Sequence, residues 1–282
     1  MKSARQRTSV LSRLTACQLV LLASLLFLTA CAQTPTPTLK TVSFTLVVDV
    51  STAPLVDELV TAYLADRPHV TIQLERTANA ERALEALQAG AGDLSSVLWL
   101  PEGIKAEGGL WYRPCARDAI VMVTHPTNPV GGLTLLQLRG IFQGQTLFWN
   151  ELGGLALDVI PVSREDGAGL RSSFESRVMG GRDVTPTSVV MSSNEAVVAY
   201  VSATPGAIGY VSLGWLVPAV NLLAVEGTAP SRAAVEDGRY LLAQPVYLVA
   251  RAEPGGGLAE FVDWVRGAGG QQIVTRRYAP AP

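Results

Sequence analysis

The sequence predicts an α/β protein of two lobes, each a mostly parallel sheet flanked by helices. Two stretches carry this prediction: residues 42–100 and residues 118–213 each alternate strand-like and helical patterns in the order β-α-β-α-β. This alternation is typical of parallel sheets covered by helices. Ligands of such sheets bind beyond the carboxyl ends of the strands, where helix starts also point. A cleft between the two units is therefore the expected place for a binding site.

The first block follows this pattern element by element. Its β-rich opening run, VSFTLVVDV, is followed by Pro54, a residue that suits the first turn of a helix. The predicted elements are a strand at 42–50, a helix from Pro54 to Leu64, a strand at 69–74, a helix at 80–89 and a strand beginning at 93.

The second block is read in the same way. Thr134 and either Ser193 or Asn194 are suitable N-caps for its helices. The predicted strands are 118–124, 158–162, 187–190 and 207–213, and the predicted helices are 135–144, 171–178 and 193–203. Shorter strand-like stretches follow at 221–225, 240–242 and 246–251, and a last helix is predicted at 258–267.

The N-terminus is typical of an export signal. Four basic residues and no acid precede an apolar run at 19–28, which is short for a membrane span. The run ends in Leu-Thr-Ala-Cys, which resembles a bacterial lipobox with Cys31 as the lipidated residue. We expect a signal peptide at 1–30, a proline-rich tether at 31–41 and a protein held on the outer face of the cell membrane. An uncleaved anchor, or ordinary cleavage beside an incidental cysteine, is the alternative.

Charge and composition exclude several function classes. The chain has 22 basic and 24 acidic residues, and removal of the signal peptide would leave 18 basic residues, which argues against a nucleic-acid partner. Beyond the export segment only Cys115 remains of the three cysteines, so no disulfide framework is expected. With two histidines and none of the common catalytic or metal-binding motifs, the sequence predicts neither an enzyme nor a cofactor.

The stretch SREDGAGLRSSFE at 163–175 is the clearest candidate binding element. A polar loop with two glycines leads into a helix start beside an arginine, and backbone N–H groups at helix starts bind anions. Small hydroxyl side chains would suit the positions around Gly169, but Ala168 and Leu170 stand there. The stretch keeps the main-chain donors and lacks side-chain donors.

Several motifs together resemble the phosphate-binding solute receptors of bacterial ABC importers. They are STAPL at 51–55, AGAGDL at 89–94, the segment at 118–154 with its LT, QL, IF and ELGG pattern, SREDGAGLRSSF at 163–174, PGAIGYVSL at 205–213 and EDGRYLLAQPVYLV at 236–249. The resemblance implies the type II periplasmic binding-protein fold, with two lobes joined by two crossing strands. The implied limits are 42–116 for the first part of lobe I, 117–209 for lobe II and 210–282 for the rest of lobe I.

The resemblance also implies ligand-binding residues. Ser51 and Thr52 match the first loop, Asp93 matches the acid that accepts a hydrogen bond from a protonated oxyanion, and Arg164 matches the arginine. Ala168, Gly169 and Leu170 match the helix start. Either Ser51 or Thr52 could instead only cap the helix, Asp93 could be a solvated turn residue, and Arg164 could form a surface ion pair.

Departures from the family pattern leave the identity of the ligand undecided. Val97, Leu98 and Trp99 stand where the family often has Ser-Arg, and a serine is missing near Ala80, where Thr77 or Asn79 could substitute. Arg82 and Arg171 are further cations, expected at the surface. The resemblance implies a monomeric receptor that binds phosphate or a similar oxyanion in the cleft and docks on an ABC permease. The alternative is a sensor or adaptor of the same fold with an altered or lost ligand.

Overall fold

A computed structural model describes residues 41–101, 103 and 109–282. The predicted signal peptide, Cys31 and all of the tether except Thr41 lie outside these residues. Residues 41–282 form one compact unit. The strands are β1 Val42–Asp49, β2 Val70–Thr77, β3 Leu94–Val97, β4 Trp111–Thr124, β5 Gly132–Leu133, β6 Ile160–Arg164, β7 Val189–Met191, β8 Ala207–Ser212, β9 Asn221–Leu222, β10 Ala224–Val225, β11 Ala243–Ala250 and β12 Ala279–Pro280.

The helices lie between these strands, and all but Arg232–Glu236 and Ala268–Val274 occur where the apolar spacing predicts a helix. They are α1 Ala53–Leu64, α2 Ala80–Gln88, α3 Leu135–Phe142, α4 Gly169–Phe174 with a π-helical turn Glu175–Met179, α5 Asn194–Ala203, α6 Arg232–Glu236, α7 Gly256–Arg266 and α8 Ala268–Val274. Short 3₁₀ turns occur at Trp149–Leu152 and Leu213–Trp215. Thr134 forms a capping box at the start of α3, and Ser193 caps α5, as predicted.

The main sheet has the order β2-β1-β3-β11-β4-β8-β6-β7. In the first half β1 pairs in parallel with β2 and β3, and in the second half β6 pairs in parallel with β7 and β8. The long strand β4 belongs to both halves, because Trp111–Ala119 pairs with β11 and Ile120–Thr124 pairs with β8. Strand β4 therefore crosses from one half to the other.

Strand pairing after residue 210 bears on the predicted lobe limits. β9 pairs with the second half of β4, β10 pairs with β5, and the chain rejoins the first half only at β11. The limits at 116, 209 and 210 remain a prediction.

Buried apolar residues from both halves form one large cluster. Leu46, Leu59 and Phe261 belong to it in the first half, and Phe142 and Phe174 in the second. A smaller cluster lies between β1, β3 and α2, and includes Val47, Leu84 and Leu87. These clusters fix the carboxyl ends of β1, β3 and β6, from which the candidate site is built.

Within the described ranges, no helix is both long enough and apolar enough to span a bilayer.

Candidate functional site

The turn after β1 is organised by Asp49, the last residue of that strand. The backbone N–H of Ser51 donates to Asp49 Oδ1 at 3.0 Å, and the backbone N–H of Thr52 donates to the Asp49 carbonyl at 2.8 Å. The Thr52 hydroxyl lies 3.0 Å from that carbonyl and 3.1 Å from the Ser96 carbonyl in β3. Thr52 is the N-cap residue of α1, but its side chain makes no capping bond. It ties the ends of two parallel strands together instead.

The helical segment after β6 starts without a side-chain cap. Ala168 occupies its N-cap position and has no side-chain acceptor for the N–H groups of the first turn. Those N–H groups, which belong to Gly169, Leu170 and Arg171, have no partner within the helix by the geometry of any helix start. The helical segment continues through its π turn to Met179. Its start therefore presents main-chain donors and the positive end of the helix dipole.

Neither Ala168 nor Leu170 has a polar side-chain atom that could contact a ligand. Both side chains are buried, and Leu170 is part of the large apolar cluster that also contains Phe174. The packing of Leu170 holds the helix start in place. Because the side chains of Ala168 and Leu170 have no donors, these two positions can offer a ligand only backbone N–H groups.

The β1 turn and the α4 start meet at Gly169. A Cβ on Gly169 would collide with Asp49 Oδ2 and would lie 3.5 Å from Ser51 Oγ. Two residues earlier, Gly167 has φ +78°, and a Cβ there would lie 2.7 Å from Asn79 Nδ2. Asn79 caps α2 by accepting a hydrogen bond through its Oδ1, which leaves its Nδ2 beside the Gly167 loop. The first half of the sheet thus contributes Asp49, Ser51 and Asn79 to a contact with the α4 start.

Arg164, the last residue of β6, is buried beside this contact. Its Nε donates to the Met191 carbonyl at 3.1 Å and its Nη2 donates to the Ser192 carbonyl at 2.8 Å. These bonds fix the guanidinium, whose positive charge acts on Asp49. We call Asp49, Ser51, Asn79, Arg164 and Gly169 the inter-loop cluster.

Three polar atoms of the inter-loop cluster are buried and have no hydrogen-bond partner among the described residues. They are Asp49 Oδ2, Ser51 Oγ and Arg164 Nη1. Because an unpaired buried polar group is costly, such atoms at one place need an explanation. A hydroxyl, a guanidinium N–H and helix-start amides are donors suited to an oxyanion, and a carboxyl can bind the proton of a protonated one.

Burial changes the ionisation of both charged groups. It raises the pKa of Asp49 from 3.8 to about 6, against the lowering effects of the backbone hydrogen bond from Ser51 and of the Arg164 charge. It also lowers the pKa of Arg164. The charged form of each group is less stable here than in water, so the cluster is sensitive to the charge of anything that enters it.

Arg171 lies inside, whereas the sequence suggested a surface position. It is 7% exposed; its Nε pairs with Glu175 at 2.6 Å and its Nη1 donates to Ser163 Oγ at 2.7 Å and to the Arg164 carbonyl at 2.9 Å. Arg171 therefore positions the end of β6. Arg82 is exposed as expected, in an i,i+3 pair with Glu85.

Asp93 is not part of the inter-loop cluster. It is exposed and precedes β3, where its Oδ2 accepts the backbone N–H of Thr45 at 2.9 Å. Because Leu46 of β1 pairs with Leu94 of β3, Asp93 lies at the amino end of β3 beside the middle of β1, whereas Ser51 and Thr52 follow the carboxyl end of β1. The structure does not bring Asp93 to the other implied site residues. The acid in the cluster is Asp49, which the motif comparison missed.

The other implied residues do come together. Ser51, Arg164 and Gly169 belong to the inter-loop cluster, Ala168 and Leu170 flank Gly169, and Thr52 supports the turn. Asn79, one of the two candidates to replace a missing serine, also belongs to it. Thr77, the other candidate to replace that serine, donates its hydroxyl to the backbone carbonyls of Val48 and Asn79.

A cavity of about 500 Å³ lies elsewhere, after β8. Its lining is Leu213, Gly214, Trp215, Leu216, Val217, Arg276 and Arg277. Both arginines are more than half exposed and lie within 4 Å of Glu58, so their charge is largely balanced. In the described part of the chain no group of three or more His, Cys, Asp or Glu residues could hold a metal ion.

The fold is that of the two-lobed solute-binding proteins. The PBP superfamily domain matches residues 32–267, and the chain belongs to this superfamily.

Curated relatives agree with this family. The phosphate-binding protein PstS of Bacillus subtilis is 26% identical over 221 residues, which is 76% of this chain and 71% of that protein. Phosphate-binding protein PstS 2 of Streptococcus pneumoniae is 33% identical over 122 residues, 40% of this chain and 42% of that protein.

Two solved structures agree as well. One, from Clostridium perfringens, is described as a phosphate ABC transporter substrate-binding protein with bound phosphate; it has a TM-score of 0.77 and 26% identity, over 85% of this chain and all of that one. An ABC-type phosphate transport receptor from Vibrio cholerae has a TM-score of 0.74, 26% identity and the same coverage. The relatives are binding proteins, which supports the prediction that the chain is not an enzyme.

Proposed function

We propose that the protein is an extracytoplasmic receptor of an ABC importer that binds phosphate or a related oxyanion at the inter-loop cluster. The observation that carries this proposal is the set of buried, unpartnered polar atoms of Asp49, Ser51 and Arg164 beside the uncapped start of α4. These groups come from both halves of the sheet. A ligand held between them would link the halves, which is how a hinged receptor reports that it is loaded.

The proposed ligand contacts are mainly to the backbone. Amides of the α4 start do not depend on the missing hydroxyl side chains, and Ser51 Oγ, Asn79 Nδ2 and Arg164 Nη1 add three side-chain donors. Each hydrogen bond to a charged ligand contributes about 1.5–3 kcal/mol. Loss of the hydroxyls that Ala168 and Leu170 replace therefore predicts weaker binding than in a receptor with a full set.

The location of the receptor follows from its N-terminus. We propose that residues 1–30 are removed, that Cys31 carries the lipid anchor and that residues up to 41 form the tether. Mass spectrometry of the full chain produced in a bacterium tests this: a lipid-modified Cys31 as the first residue is expected, and Cys31→Ser should leave the protein unlipidated. A mature protein that starts elsewhere, or an intact N-terminus, would contradict the anchor.

A sensor or adaptor with an altered ligand is the second candidate function. The observation that favours it is the acid of the inter-loop cluster: Asp49 Oδ2 lies against Gly169, where an oxyanion would bind. On this alternative the monomeric receptor would signal to a protein partner and not deliver solute to a permease.

Calorimetric titration of the full-length protein with phosphate separates the two functions. One phosphate per chain is expected in the titration. In thermal unfolding, phosphate at 100 times its Kd should stabilise the fold by about 2.7 kcal/mol. Arg164→Met should abolish most of the binding. Arg82→Met is the matched control, because Arg82 is an exposed arginine of a nearby helix, and it should bind as the unchanged protein does. Failure of phosphate and other oxyanions to bind would favour the sensor.

A further inference from the structure

We propose that Asp118 exchanges hydrogen-bond partners when the two halves of the sheet move relative to each other, and that this exchange sets how readily the empty protein closes. In one arrangement Asp118 bonds to the end of β8, and in the other it bonds to the side-chain amide of Gln244. We call Asp118, Ser212 and Gln244 the crossing cluster. It is separate from the inter-loop cluster, and its role goes beyond the proposed function.

The crossing cluster lies where β4 changes its partner strand. Residues of β4 up to Ala119 pair with β11, whereas Ile120 is the first that pairs with β8. Because β4 belongs to both halves, a hinge motion between them must be absorbed by a few backbone angles of this strand. The point at which β4 leaves β11 is the expected place, and Asp118 lies directly beside it.

Asp118 is bonded to the end of β8 in the structure. Its Oδ1 accepts the Ser212 hydroxyl and the backbone N–H of the following residue, both at 2.9 Å. The backbone N–H of Ser212 in turn donates to Asn194 Oδ1 at 3.3 Å. Two residues before Asn194, the Ser192 carbonyl accepts Arg164 Nη2. The end of β8 is therefore attached to the segment that positions Arg164, and we expect it to move with the second half.

Gln244 offers Asp118 a second partner, which is not used in the structure. The two residues lie directly opposite each other in the antiparallel pair of β4 and β11, and both are buried. Within the described ranges, Asp118 Oδ2 and both polar atoms of the Gln244 side chain have no hydrogen-bond partner. Opposite residues of an antiparallel pair have Cβ atoms about 4.5–5.5 Å apart, so these side chains can reach each other. A second arrangement that pairs these atoms explains their presence at a buried place.

The structure corresponds to the closed arrangement, because the loops of the two halves meet at Gly169. Here the bonds from Asp118 to the end of β8 favour closure, whereas the unpaired amide of Gln244 opposes it. When the halves separate, the end of β8 withdraws and Asp118 bonds to Gln244 instead. The balance between these bonds sets the closed fraction of the empty protein. Since apparent affinity is proportional to the binding-competent fraction, the crossing cluster changes affinity without contacting the ligand.

Calorimetric titration of full-length variants with inorganic phosphate tests the exchange. Gln244→Met keeps the length of the side chain and removes its amide, so it disfavours only the separated arrangement and should tighten phosphate binding about 5-fold. Ser212→Ala removes a bond of the closed arrangement and should weaken binding by about the same factor. A merely structural role would lower stability in one or both variants without moving affinity in opposite directions.

Thr124→Val is the matched control. Thr124 lies on the same strand, and its hydroxyl is also buried and unpartnered among the described residues. Its strand partners, Ile208 and Asn221, both belong to the second half. Removal of this hydroxyl should therefore leave the balance between the halves, and with it the phosphate affinity, unchanged.

Amide NMR of the phosphate-free proteins gives a second readout, which does not rest on the proposed function. The amides of Gly167 and Gly169 report the contact between the halves, because each glycine lies against a side chain of the first half. Their signals should move along one line, in one direction for Gln244→Met and in the opposite direction for Ser212→Ala. In Thr124→Val they should stay in place.

The possible outcomes separate this inference from the proposed function. Unchanged glycine signals and affinity in Gln244→Met, as a water shared by Asp118 and Gln244 in both arrangements would give, overturn the exchange while the receptor function stands. Movement in the same direction for Gln244→Met and Ser212→Ala overturns it as well. If phosphate binds none of the proteins, the receptor function is wrong, and the glycine signals still decide the exchange. Gln244→Leu replaces Gln244→Met if that variant does not fold.

Discussion

The starts of α3 and α4 differ in how their free backbone N–H groups are paired. At α3, the Thr134 hydroxyl accepts the N–H of Gln137, and the Gln137 side chain accepts the N–H of Thr134. At α4, the cap position holds Ala168, and a glycine follows that lies against a buried acid. A capped start is complete without a ligand, whereas the α4 start has donors available. This difference is the reason for placing the proposed anion site at α4.

The largest effect should come from the acid in front of the α4 start. The pKa of Asp49 is about 6 when folded and 3.8 in its ordinary state, so its stabilising contribution is complete below pH 4 and is lost as pH rises through 6. The loss amounts to about 3 kcal/mol. Urea unfolding from pH 4 to pH 8 should show this fall in the unchanged protein relative to Asp49→Asn. A constant difference between the two proteins across that range would contradict the environment assigned to Asp49.

The second-largest effect should come from changing the contact between Gly169 and Asp49 Oδ2. Gly169→Ala places a methyl group against Asp49 Oδ2 and should cost about 1–3 kcal/mol in unfolding free energy. It should also weaken phosphate binding, because the two loops would be pushed apart. The matched control is Gly131→Ala, since Gly131 has no heavy atom within 4 Å of an added Cβ. Equal behaviour of the two variants would mean that the loops are not in contact at Gly169.

The smallest effects test the caps directly. Thr134→Ala removes the capping box of α3 and should cost about 1 kcal/mol in stability, with phosphate affinity unchanged. Ala168→Ser adds a hydroxyl at the cap position of α4 and should strengthen phosphate binding, since Ser can donate to an oxyanion as well as cap. Thermal unfolding and titration of both variants measure this. A change in phosphate affinity in Thr134→Ala, or none in Ala168→Ser, would remove the distinction between the two helix starts.

Much of the fold could be predicted because local pattern and tertiary structure agree. Strand β1, helix α1 and the caps Thr134 and Ser193 occur where apolar spacing and capping residues place them. The first half of β4 was missed because Arg113 and Pro114 interrupt its pattern, and its pairing with β11 is long-range.

The site was harder to predict, for reasons that differ between its two acids. Asp93 fits a sequence motif, but it precedes β3 and so lies at the amino end of that strand. Asp49 ends an apolar strand just before a Ser-Thr turn, which places it at the carboxyl end, and this order was a usable signal. The burial of Leu170 depends on packing against distant residues such as Phe174, which local sequence does not reveal.

The most direct test of the account is to locate the bound anion by amide NMR of the full-length protein titrated with phosphate. The account predicts that the largest shifts occur at the amides of Gly169, Leu170 and Ser51. Shifts confined to the cavity lined by Leu213 and Arg276, or to the surroundings of Asp93, would contradict it.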